Sequence, residues 1–106
     1  MSAQGPVTLV VVNGVLELQR CALYAHWSAI VDAHHVVPES WWRKAGVPVG
    51  SPLMSLCPVC HMNTHAGIDG LLRGTDISVL PLRVQALAQR AITDGIAAGL
   101  KPAPTL

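Results

Sequence analysis

Apolar and polar positions follow two different periods along the chain, and the change from one to the other divides it. Val7 to Val12 and Val15 to Arg20 flank Asn13-Gly14. Both central residues tolerate the positive φ of a type I′ turn, so an N-terminal β-hairpin is predicted. Ala29 to Val37 is apolar apart from Asp32, His34 and His35; it is predicted to be a strand, ended by Pro38. Residues 38–52 combine Gly46, Pro48, Gly50 and Pro52 with Trp41, Trp42, Arg43 and Lys44. That mixture predicts an irregular segment with exposed aromatic and basic groups, the kind of loop that often carries function.

Leu53 to Leu56 reads as one more short strand. Cys57-Pro58-Val59-Cys60 then turns into a helix predicted over Val59 to Leu72 and closed by Gly74, with His61, His65, Ile68 and Leu72 on one side. Pro81 suits the first turn of another helix, about 81–98, whose Val84, Leu87, Ala88, Ala91 and Ile92 form one apolar stripe. The stripe is read as packing surface. Gly99 and Pro102 stop this helix, and the tail KPAPTL is expected to fray.

The 106 residues suffice for one domain with a modest core. With 51% hydrophobic residues and no phenylalanine, that core must be built from Val, Leu, Ile and Ala. No run reaches the ~18 apolar residues needed to span a bilayer, and MSAQGP lacks the basic start of a secretory signal. The cytoplasm is the expected compartment. A formal net charge of +1 is far from the basic balance of a domain that grips nucleic acid by phosphate neutralisation, so such a partner would be held weakly or with help. Three cysteines, an odd number, argue against a disulfide framework and toward metal or free thiols.

Four of the five histidines fall in two places: His34-His35 at a strand end, and His61 with His65 four apart on a helix. The helical pair projects from one face and can converge on one ion. On a strand, neighbours point to opposite faces, so one of His34 and His35 can bind metal while the other faces water or substrate. This division suits phosphodiester hydrolysis, which uses a neutral imidazole as base and a divalent cation to stabilise charge. A lone histidine is more commonly a surface or cap residue; four in this arrangement are not. Cys57-x-x-Cys60 presents two thiolates to one zinc, with Cys21 upstream. The residue three beyond Cys21 is Tyr24, not cysteine, and His26 is the nearest candidate fourth ligand. Structural zinc and small buried hydrophobes are therefore both open readings of the three thiols.

The stretches DAHHVVPES (32–40) and LCPVCHMNTH (56–65) together resemble the HNH endonucleases of the ββα-metal (His-Me finger) class, similar to small stand-alone forms of phages and prophages. The resemblance covers about residues 21 to 72. It implies an α+β fold with a ββα-metal core over about 21–74, flanked by the N-terminal hairpin and the C-terminal helix, in a phage- or prophage-encoded protein of the bacterial cytoplasm. It implies His35 as general base and His34, His61 and His65 as ligands of one catalytic ion, Mg²⁺, Mn²⁺, Ni²⁺ or Zn²⁺, besides a structural Zn²⁺ at the cysteines. Asp32 would orient a ligand imidazole or cap the strand end, and Asn63 is a second candidate support.

Double-stranded DNA is the implied substrate, contacted through Arg43, Lys44 and Arg73 with little sequence preference. Trp41 and Trp42 are expected to form a local mini-core ahead of a base-stacking platform. One departure concerns the asparagine that braces the loop after the base in many members: this chain reads SPLMSLC there, with Pro52 at about that place. Ser51 or a backbone group is the alternative brace. Two other readings stand beside the nuclease: a zinc-stabilised nucleic-acid- or protein-binding module, and an accessory factor that acts with terminase subunits in a phage DNA-packaging complex.

Overall fold

The computed structural model describes residues 19–24, 27–28 and 31–104. Among these the elements run β1 (Gln19–Arg20), β2 (Trp27–Ser28), β3 (Asp32–His35), α1 (Glu39–Ala45), β4 (Leu53–Leu56), α2 (Pro58–Arg73) and α3 (Leu82–Ala97). The architecture is α+β, with β1 paired to β2 and β3 paired to β4, both antiparallel. The hairpin predicted around Asn13-Gly14 lies outside the described residues except for Gln19 and Arg20, which pair with Ser28 and Trp27. None of the described helices is long and apolar enough to cross a membrane.

The β3–β4 ladder sets Asp32 opposite Leu56, Ala33 opposite Ser55, His34 opposite Met54 and His35 opposite Leu53. It is shorter than the strand predicted over 29–37. Val36 and Val37 leave the ladder but stay buried, and their amides are satisfied by Pro52 O at 3.1 Å and Ser51 Oγ at 2.8 Å.

The prediction of an irregular, exposed segment over 38–52 is corrected. Glu39–Ala45 is helical, and Trp41 is 2% exposed. The local chemistry explains it: Glu39 stands in the first turn and bonds Arg43 one turn on at 3.1 Å, basic residues fill the last turn, and Gly46 caps in the left-handed region at φ 71°. The helix-breaking residues begin only at Gly46.

Helix α2 runs one residue beyond the predicted Val59–Leu72 at each end. Cys57 is its N-cap and Pro58 its first residue, and Gly74 closes it at φ 73°. Helix α3 buries Val84, Leu87, Ala88 and Ala91 of the predicted stripe, with Ile92 packed at the edge. Where α2 meets α3, Gly67 lies so near that a Cβ on it would stand 3.0 Å from that of Ala88. Val37, Trp41, Ile68, Ala88, Ala91 and Leu100 form one core cluster. Cys21, Leu56, Cys57, Cys60 and Leu87 form a second.

Trp41 packs on Gly95 of α3, where a Cβ would come within 2.9 Å of its ring, and Trp42 covers Gly50. Both tryptophans thus pack against the protein. The tail differs from the expected fraying as far as Pro104: Leu100 is buried, and Ala103 O accepts the indole N–H of Trp41 at 3.1 Å.

Candidate metal and catalytic site

Alternation along β3 sorts its polar residues. Asp32 and His34 share a face that turns toward α2, and His34 is buried to 1% exposure. His61 and His65, one helical turn apart, meet it there. The ring centroids lie 5.2 Å (His34 to His61), 5.3 Å (His34 to His65) and 4.8 Å (His61 to His65) apart. Each ring offers a nitrogen within 4.8 Å of those offered by the other two, a set that could hold a metal ion such as zinc.

The hydrogen bonds define the state of this trio. Asp32 Oδ2 lies 3.0 Å from His61 Nδ1. A carboxylate only accepts, so Nδ1 carries the proton and Nε2 of His61 presents its lone pair. That lone pair faces His65 Nε2 at 3.1 Å. Neither ring nitrogen of His34 has a hydrogen-bond partner, nor has the buried Nδ1 of His35. An imidazole buried without a partner is costly, and orphaned nitrogens beside two further rings are the donor chemistry that a cation satisfies.

Charge state follows from burial. Burial first, then the nearby His65, His61 and His35 rings, lowers His34 to a pKa of about 4. His65 is lowered by burial and by His61, against an opposing pull from Asp69. His34 is therefore neutral at neutral pH.

His35 falls on the opposite side of the strand from His34. With Ala33 it lines a cavity of about 280 Å³ that His61, His65, Glu39 and Ser40 also border. The cavity-facing ring is thus distinct from the buried one, as alternation requires. Beyond it, Ser51 Oγ holds the Val37 amide. Asn63 lies on α2 in an intermediate environment between Met62 and the buried Thr64.

The predicted DNA-contacting residues are not gathered in one place. Arg43 is exposed and bonded to Glu39 at the cavity's edge. Lys44 lines a separate cavity with Trp41 and Lys101. Arg73 ends α2, twelve residues from His61, or ~18 Å at the helical rise. Glu39 and Ser40 were missed as cavity residues because their segment was predicted to be irregular; the acid one turn before a base at 39 and 43 was the available signal.

The three cysteines converge as well. Their sulfurs lie within 4.8 Å of one another, all are buried and all are free. Burial raises the Cys60 thiol to about 12, helped by the neighbouring Cys57 and Cys21 thiols. Burial works in the same direction on Cys21, but the amides of Cys57, Tyr24 and Leu23, with the Cys60 thiol, bring it below its ordinary value. His26, the candidate fourth ligand, lies outside the described residues.

No protein-family model matches the chain, and no curated protein or solved structure matches it either.

Proposed function

We propose that this protein is a metal-dependent DNA endonuclease of the HNH, ββα-metal kind, with β3, β4 and α2 as its core. The observation that carries the reading is the pairing of three converging imidazoles, His34, His61 and His65, with a fourth, His35, on the cavity beside them.

His34, His61 and His65 would hold the ion, leaving room for water and phosphate that a site closed by four protein ligands lacks. When bound, a divalent cation supplies Lewis-acid stabilisation of the charge that grows on the phosphate and the departing 3′ oxygen. Asp32 fixes the ligating tautomer of His61 through the 3.0 Å contact to Nδ1. His35 takes a proton from a water in the cavity, and that water attacks phosphorus in line with the leaving oxygen. Ser51, by holding the Val37 amide, sets the path of the chain just after His35.

The full burial of His34 favours one second reading, a zinc-stabilised binding module in which the same ion is structural. Supercoiled plasmid incubated with the protein and Mg²⁺, Mn²⁺, Ni²⁺ or Zn²⁺, beside a chelator control, separates the two. The nuclease reading expects chelator-sensitive nicking that His35→Ala abolishes. Metal uptake with no nicking under any of the four ions would assign the structural role instead.

A further inference from the structure

A second cavity, of about 430 Å³, shares no lining residue with the one beside the imidazoles and takes no part in the proposed reaction. It is lined by Trp41, Lys44 and Ala45 of α1 and by Gly99, Lys101 and Ala103 of the chain that follows α3. No acid borders it. Among the described residues neither lysine has an ion-pair partner, and Glu39 and Asp94, acids on the same two helices, are each held by an arginine.

The fold sets where both lysines stand. Gly99, at φ 79°, turns the chain out of α3; its amide donates to Ile96 O at 2.9 Å and the next amide, of Leu100, to Gly95 O at 3.0 Å. On the far side of Lys101, Ala103 O accepts the Trp41 indole N–H at 3.1 Å. Lys101 is thus held between the buried Leu100 and Ala103 while it is itself exposed, as is Lys44 in the last turn of α1. Neither ammonium is needed as a helix cap. The amides of Gly46 and Val47 already meet the Arg43 and Trp42 carbonyls at the end of α1, as those of Gly99 and Leu100 do at the end of α3.

Two ammoniums without acid partners around one concave space are stabilised by a shared anion. Lysine acts on phosphate as a mobile point charge. A phosphate monoester or a diphosphate carries close to two charges or more at neutral pH and so matches the pair, whereas each phosphodiester of a DNA backbone carries one. The volume also falls within the roughly 300–1,000 Å³ of small-molecule sites. We propose that Lys44 and Lys101 form a binding site for a small phosphate-bearing anion, a phosphate monoester or a diphosphate, where α1 meets the chain after α3. This parts Lys44 from the DNA contact that the family resemblance gave it, and it does not rest on the nuclease reading.

Calorimetric titration of the full chain with inorganic pyrophosphate tests the site. The protein is first stripped of metal with chelator and dialysed, so that no cation at the imidazoles can recruit the phosphate. Saturable binding at one equivalent is expected, weakened about 10–100-fold in Lys44→Ala and in Lys101→Ala, the effect of losing a hydrogen bond to a charged group. Lys101→Arg, which keeps the charge, should retain most of the affinity, and so should Arg90→Ala, which removes an equal charge from α3. No saturable heat with wild type, or an affinity that Lys44→Ala and Lys101→Ala leave unchanged, overturns the proposal. So does binding of a short duplex DNA, lost in the same two variants, with none of pyrophosphate, because that would return the lysines to the substrate. Nicking enters no arm of this experiment, so a failure of the nuclease reading leaves its outcome unchanged.

Discussion

Ser51 Oγ accepts the backbone N–H of Val37 at 2.8 Å, across fourteen positions of sequence. Val37 is 3% exposed, so its amide has no ready access to water. The Ser51→Ala protein should lose roughly 1–3 kcal/mol of stability, the cost of a buried donor left unsatisfied, measurable by urea denaturation. It should also lower nicking by more than its effect on metal uptake, since Val37 lies two residues after His35. A variant as stable as wild type would show that the hydroxyl is not the brace.

His35 borders the cavity but does not belong to the converging trio. His35→Ala should reduce plasmid nicking by ~10²–10⁴-fold, the range supplied by a positioned base, while Mn²⁺ binding followed by electron paramagnetic resonance stays within a factor of two. Nicking at the wild-type rate would remove His35 from the base role.

Asp32 fixes the proton of His61 on Nδ1. Asp32→Asn replaces a charged acceptor with a neutral amide that can also present its NH₂ group, so the ligand tautomer is no longer enforced. Mn²⁺ affinity should fall ~10–100-fold, the usual effect of losing the partner of a ligating imidazole. An unchanged affinity would reduce the aspartate to an end-of-strand residue.

The buried His34 makes the metal-free protein acid-sensitive. Its pKa falls from 6.5 to about 4 on folding, so the unfolded chain binds the proton more readily. Stability contributed by keeping this ring neutral is fully present above pH 6.5 and is lost as pH falls toward 4, by about 3 kcal/mol in all. Denaturant midpoints in the presence of chelator at pH 7.5, 5.5 and 4.5 should decline in that order, and His34→Phe should flatten the decline. A slope unchanged in the variant would place the sensitivity elsewhere.

The parts of this structure that were legible in the sequence are those with local signals. The i, i+4 histidines and the Gly74 boundary marked α2, and the apolar stripe marked α3, because helical period and capping are local properties. The alternation that separates His34 from His35 was legible for the same reason. Helix α1 was not, since seven residues are too few to establish a period and the following Gly46, Pro48 and Gly50 dominate the window. Contacts between distant positions were the least legible: Trp41 with Ala103 is 62 residues apart, and nothing near either residue announces it. The convergence of Cys21 on Cys57 and Cys60 was only half legible, because Tyr24 occupies the position that would complete the pattern.

The short β3–β4 ladder also has a consequence for how much change this chain can absorb. Only four residue pairs define it, and a slip of one position would exchange the two imidazoles, turning His35 inward and His34 toward the cavity. A single-residue insertion between Asp32 and His34, or deletion of Ala33, should therefore be far more damaging than an insertion or deletion at the Val47–Gly50 surface stretch, although none of these removes a histidine. Counting along the strand, and not merely possession of the side chains, decides which ring does which job.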